Sequence, residues 1–339
     1  MRRFKQLAVS ASFALTLGVL ASAQVHAGEI TVYTALEDDE IATYLAAAKQ
    51  AMPDVTVHVL RLSTGDLGAR LLAESSNPRN DVIWGFAVSN MLDKRIEGLL
   101  EPYSPKGVDT LPAQYRDANG KWFAATGYMA AFCVNTERLK AKNLPMPTSW
   151  TDLTKPIYKG EIVMPNPAAS GTGYLQIAAI LQGQGKDKGW AFLKQLNTNI
   201  AQYTDSGSKP CKMARTGEYA IGASFAFPAM QSIEAGYPVK MVIPTDWDGY
   251  ELEASGLMKT SKNKADAKRF LDWTISSGVT SLYKKYKEIV TVPGVTPSEA
   301  SVAAGLPKDV TKVLYPVNFP QAAEDRDSTI KAWQASMKR

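Results

Sequence analysis

The sequence predicts an α/β protein built on a largely parallel sheet with helices on both faces. Three observations predict it. β-Branched runs alternate with helical patterns along most of the chain, hydroxyl- and glycine-rich turns join strand to helix, and 45% hydrophobic residues in 339 are ample for one large core or two smaller ones. In sheets of this kind ligands bind beyond the carboxyl ends of the strands. The strand-to-helix turns are therefore where function is expected.

The elements follow in order. Arg2, Arg3 and Lys5 precede the apolar run LAVSASFALTLGVLASA, which stops at small residues. This reads as a secretory signal peptide over 1–27, cleaved after Ala27 with Ala23 as the rival site. The run is short and rich in small residues, and no later segment approaches the roughly 20 apolar residues of a membrane span. An exported, soluble protein is expected. EITVYTAL (29–36) alternates as a strand and leads through Glu37, Asp38, Asp39 and Glu40 into a helix ending near Gln50. VTVHVLRL (55–62) is a second strand, Ser63-Thr64-Gly65-Asp66 its turn and LGARLLAES the next helix. DVIWG (81–85) is a third strand and MLDKRIEGLL the helix after it.

From Trp122 the pattern changes. WFAATGYMAAFCVNT is a long apolar segment with a glycine inside, which suits strands crossing between two lobes, the crossing lying near residue 128. Residues 147–167 read as a proline-punctuated loop, a helical turn and the strand EIVMP. Ser170-Gly171-Thr172-Gly173 then opens a helix, GWAFLKQLNTNI is another, and 201–225 repeats strand, turn, helix, strand, with Ser206-Gly207-Ser208-Lys209 as the turn. YELEASGLMKT (250–260) is a return strand and NKADAKRFLDWTISS an amphipathic helix. The crossing assigns 28–127 with 250–295 to one lobe and 128–249 with 296–339 to the other.

Loss of residues 1–27 would remove three basic side chains and lower the net charge from +5 to +2. A nearly neutral chain without a basic run argues against nucleic-acid binding. Cys133 and Cys211 in an exported chain are expected to form a disulfide, although two separate buried thiols are also compatible with the sequence.

The turns at 63–66, 170–173 and 206–209 each follow a strand and open a helix. Serine and threonine supply hydroxyls, glycine admits close backbone approach, and a helix N-terminus supplies oriented N–H groups with partial positive charge. Any one turn is an ordinary helix cap. Three along one cleft edge suit a tetrahedral oxyanion, which neutral donors can hold with no basic side chain required. Glu37 after the first strand and Asp205 before the third turn would be out of place in a purely anionic site, and suit a ligand that also carries an ammonium group. Trp84, at a strand end, is the expected aromatic wall, with Phe225, Phe227, Tyr128 and Trp247 as further candidates.

Catalytic signatures are missing. The histidines are His26 and His58, so no H-x-x-x-H zinc pair exists, and GQGKDK lacks the upstream glycine of a P-loop. Ser206-Gly207-Ser208-Lys209 matches S-x-x-K, yet no S-D-N element follows. No cofactor is expected, and no enzymatic activity.

VYTALEDD, LSTGDLGARLLAE, DVIWG, NPAASGTGYL, DSGSKPC, GEYAIGASF and LEASGLMK fall in an order that resembles bacterial extracellular solute-binding proteins, the group that includes periplasmic ferric-iron binders. The chain is most similar to the 2-aminoethylphosphonate-binding proteins of ABC importers. The resemblance implies a two-lobed periplasmic binding fold of type II, a ligand clamped in the hinge cleft, and a monomer that delivers it from the periplasm to permease subunits in the inner membrane. It implies Ser63, Thr64, Gly65, Ser170, Gly171, Thr172, Ser206 and Ser208 on the phosphonate oxygens, Thr34 as an added donor, and Glu37 and Asp205 on the ammonium. Ferric iron, or another phosphonate or phosphoester, is the alternative cargo within the fold. Iron binders place adjacent tyrosines where Ser224 and Phe225 stand here, and a phenyl ring cannot coordinate iron. An exported phosphoester or phosphonate enzyme is the more distant alternative.

Overall fold

The computed structural model describes residues 28–337. The signal peptide read over 1–27 lies outside the described residues. Strand β1 (Gly28–Thr34), helix α1 (Asp38–Ala51), β2 (Val55–Arg61), α2 (Thr64–Ala73) and β3 (Val82–Ala87) form one half of the molecule, with β2 and β3 flanking β1 in parallel. This is the expected strand–turn–helix succession. MLDKRIEGLL is not one helix: it forms two single turns, Val88–Met91 and Lys94–Glu97, and then a short strand at Leu100–Glu101. Asp93 caps the second turn by accepting from the Arg95 N–H at 2.8 Å, and that local bond interrupts a continuous helix.

The crossing segment is a single long strand, β4 (Phe123–Asn135), buried at every position. The other half holds β5 (Ile162–Pro165), α3 (Gly171–Gln184), β6 (Ile200–Thr204), α4 (Lys209–Arg215), β7 (Ile221–Phe225), α5 (Ala226–Glu234) and β8 (Val239–Val242). The chain returns through β9 (Tyr250–Met258), α6 (Lys264–Trp273), α7 (Ser277–Tyr286) and β10 (Ile289–Val290), and closes with α8 (Phe319–Ser336).

The strand order is β2-β1-β3-β9-β4-β7-β5-β6, with β10 and β8 pairing β4 off this path. Each outer trio is parallel, as its helical crossovers require, whereas β9 and β4 run antiparallel to their neighbours because they carry the chain between halves. Residues 123–129 of β4 pair with β9 and 130–134 with β7, so the change of partner falls between Met129 and Ala130. A disulfide joins Cys133 on β4 to Cys211 on α4. Helix α8 touches both halves: the Tyr174 hydroxyl donates to the Ala322 carbonyl, the Tyr203 and Trp333 rings meet edge to face at 4.9 Å, and Arg95 donates to Asp327 at 3.0 Å. Among the described residues no helix is long and apolar enough to cross a membrane.

Candidate ligand-binding site

The parallel register sets Thr34 beside both Arg61 and Trp84, so the carboxyl ends of β1, β2 and β3 share one edge. The chain turns there into α1, whose N-cap is Glu37, and into α2, whose N-cap is Ser63. From the other half, Ser170 caps α3 with its Oγ accepting from the Gly173 N–H at 3.3 Å, and Ser208 stands at the N-cap of α4. These ends face one another around a cavity of about 40 Å³ at the crossing of the halves. Helix N-termini present unpaired N–H groups, so an anion entering this space meets several oriented donors.

Of the residues read from the sequence, Glu37, Ser63, Thr64, Ser170, Gly171, Thr172 and Phe225 line the cavity. Gly207 provides the wall at the third turn, while Ser206 and Ser208 stand behind it, their Oγ atoms 3.1 Å apart. Gly65 bridges the halves, its N–H donating to the Ala169 carbonyl at 2.8 Å. Gly65, Ser206 and Ser208 are thus off the wall itself, and three more expected residues lie away from it. Thr34 is fully buried and its Oγ1 accepts from the Leu36 N–H at 3.1 Å. Trp84 packs in the core against Tyr44, Phe270 and Trp273, and Asp205 is exposed on its turn.

The sequence requires no basic side chain at the site, yet one is present, because Arg61 lines the cavity. Its NH2 donates to Glu37 Oε1 at 3.1 Å and its Nε to the Leu36 carbonyl at 3.0 Å. The other Glu37 oxygen accepts from Ser208 Oγ at 3.0 Å, which ties the first half to the second. Tyr128 and Phe225, with ring centroids 5.4 Å apart, form the aromatic wall in place of Trp84.

Glu40 and Glu253 form the floor. Lys287 lies behind them, its Nζ 2.7 Å from Glu40 Oε2 and 2.7 Å from Glu253 Oε1. Thr126, opposite Glu253 in the β4–β9 register, donates to the second Glu253 oxygen at 2.6 Å. Glu40 Oε1 accepts from the Glu37 N–H at 2.8 Å. Burial pushes the Glu40 carboxyl up to about 7 against the attraction of Lys287, and the nearby Glu253 adds to the rise. Burial works against the charge of Lys287, but Glu253 and Glu40 outweigh it and hold the ammonium above its ordinary value.

A family model described as bacterial extracellular solute-binding protein matches residues 77–312. The chain belongs to that family. This solute-binding protein is 31% identical to an uncharacterized protein of Haemophilus influenzae over 99% of both chains. It is 30% identical to the probable ABC transporter periplasmic-binding protein y4fP of Sinorhizobium fredii, over 94% of this chain and 90% of the other. Among solved structures, the periplasmic binding protein AfuA from Actinobacillus pleuropneumoniae, determined with fructose-6-phosphate bound, superposes with a TM-score of 0.84 at 30% identity, covering 91% of this chain and 98% of AfuA. The two-lobed type II periplasmic binding fold is thus the fold of this solute-binding protein, and AfuA and y4fP are both described as periplasmic binding proteins, y4fP as that of a probable ABC transporter.

Proposed function

We propose that this solute-binding protein captures 2-aminoethylphosphonate in the periplasm and hands it to the permease subunits of an ABC importer. The observation that carries the reading is the convergence of the α2 and α3 N-termini, the Gly207 turn and Arg61 on one small cavity with an acidic floor. Charge-assisted hydrogen bonds contribute about 1.5–3 kcal/mol each. Several of them exceed the roughly 8 kcal/mol of micromolar binding before the entropy of immobilisation is subtracted.

The phospho head is supported by AfuA, which shares 30% identity and was determined with a phosphorylated sugar. A space of about 40 Å³ favours a ligand smaller than a hexose phosphate. Ferric iron is the weaker reading, because Ser224 and Phe225 occupy the place where phenolate donors would be needed. In this account the signal peptide is removed, the monomer closes its lobes, 28–127 with 250–295 and 128–249 with 296–339, by a hinge near residue 128, and no cofactor takes part.

The test is a thermal-shift series on the mature protein with 2-aminoethylphosphonate, phosphate, fructose-6-phosphate and ferric citrate. A raised melting temperature with 2-aminoethylphosphonate, recovered chemically unchanged, is expected. Stabilisation by ferric citrate alone would overturn the reading.

A further inference from the structure

Glu37 is the acid the sequence offers first for a ligand amine, but its two oxygens already serve other partners. Oε1 is paired with the Arg61 guanidinium and Oε2 accepts from Ser208. With one carboxylate facing one guanidinium, that corner of the cavity is electrically balanced.

The floor is different. Glu40 and Glu253 share the single ammonium of Lys287, with side chains only 2%, 6% and 4% exposed respectively. Thr126 and the Glu37 N–H add hydrogen bonds to these carboxylates but no positive charge. Two buried carboxylates with one buried ammonium leave an excess negative charge in low dielectric, an unfavourable arrangement that a second cation relieves. Burial is the main cause of the raised Glu40 carboxyl, and the neighbouring Glu253 adds to it against the attraction of Lys287.

We infer that Glu253 and Glu40, held together by Lys287, are the specificity-determining residues that select a ligand bearing an ammonium group, and that Glu37 serves the anion side and lobe contact instead. The inference rests on the proposed phospho-ligand reading of the same cavity and adds which residues discriminate. A ligand ammonium at the floor supplies the missing charge. A ligand ending in a methyl group there leaves the carboxylates uncompensated and loses water from them as well.

The experiment is calorimetry of the wild-type mature protein, Glu253→Gln, Glu40→Gln and Glu37→Gln with the matched pair 2-aminoethylphosphonate and ethylphosphonate. A preference of about 100-fold for the amine is expected in the wild type, the size of one to two hydrogen bonds between charged groups. Glu253→Gln keeps the shape but leaves Lys287 paired one to one with Glu40, and should reduce the preference to about threefold or less. Glu37→Gln should weaken both ligands alike and preserve the preference. Should Glu253→Gln fail to fold, Glu40→Gln gives the same readout. Equal wild-type affinity for both ligands, or a preference erased by Glu37→Gln and untouched by Glu253→Gln, overturns the floor assignment alone. A wild-type protein that binds neither ligand overturns the proposed function and this inference with it.

Discussion

Gly65→Ala isolates lobe closure from folding. Gly65 lies in the first turn of α2, with a helical backbone that alanine adopts readily, so the substitution within its own lobe is neutral or favourable by up to about 1 kcal/mol. Across the cleft it is not tolerated. A Cβ at this position would stand 1.9 Å from the Ala168 carbonyl oxygen and 2.8 Å from that of Ala169. Both are backbone atoms, so no side-chain rotation relieves the overlap and the lobes must part by more than an ångström. Parting them also lengthens the Gly65 N–H to Ala169 bond of 2.8 Å. About 1 kcal/mol for the bond and about 1–3 kcal/mol for the overlap give about 2–4 kcal/mol against the closed form, or about 30- to 1,000-fold in affinity. Calorimetry with 2-aminoethylphosphonate reads the loss, and the melting temperature of the ligand-free protein reads the lobe. An affinity within about threefold of wild type would mean that the bound form does not bring Gly65 against the Ala168 and Ala169 carbonyls. A ligand-free protein melting several degrees lower would show that Gly65 serves its own lobe.

Two further outcomes are expected. Arg61→Met removes the cation that lines the cavity and leaves Glu37 without its partner, so calorimetry should show 2-aminoethylphosphonate and ethylphosphonate weakened together by about 10- to 100-fold; unchanged affinity for either contradicts a role on the shared anionic head. Burial pushes Glu288 up to about 8 and Glu251 up to about 7. A carboxyl raised above its unfolded value stabilises the fold fully below about pH 4.5 and loses that contribution as pH rises through the raised value, at about 1.4 kcal/mol per pH unit. Asp54 and Asp152, held down to about 2, titrate below this window. Unfolding free energies from urea titrations should therefore fall by several kcal/mol between about pH 5 and pH 8.5, and Glu288→Gln should flatten the fall. An identical pH slope in the variant is the contrary result.

The strands, the crossing segment and the three turns were legible because each is a local pattern: alternation, an apolar run, a hydroxyl cap before a helix. What local pattern does not carry is which way a side chain points once both faces of a strand are covered. Trp84 lies in a strand buried at every position, so no alternation told its core face from its cleft face. Asp205 sits beside a serine turn as an ammonium acceptor would, yet it is exposed. Arg61 is one residue within the strand run VTVHVLRL, with nothing local to single it out, and only the parallel register opposite Thr34 brings it to the cleft edge. The floor was beyond reach for a related reason: Lys287 is 247 residues from Glu40 and 34 from Glu253, and such a triad exists only after the crossing strands pair. Helix α8 escaped because its buried positions, Ala322, Thr329 and Trp333, are too sparse to mark an apolar face.

A crystal structure with 2-aminoethylphosphonate bound would locate both the anionic head and the amine. Phosphorus should lie between Ser63–Thr64 and Ser170–Thr172 within reach of Arg61, with the amine against Glu253. A ligand bound the other way round, or bound outside this cavity, would contradict the account.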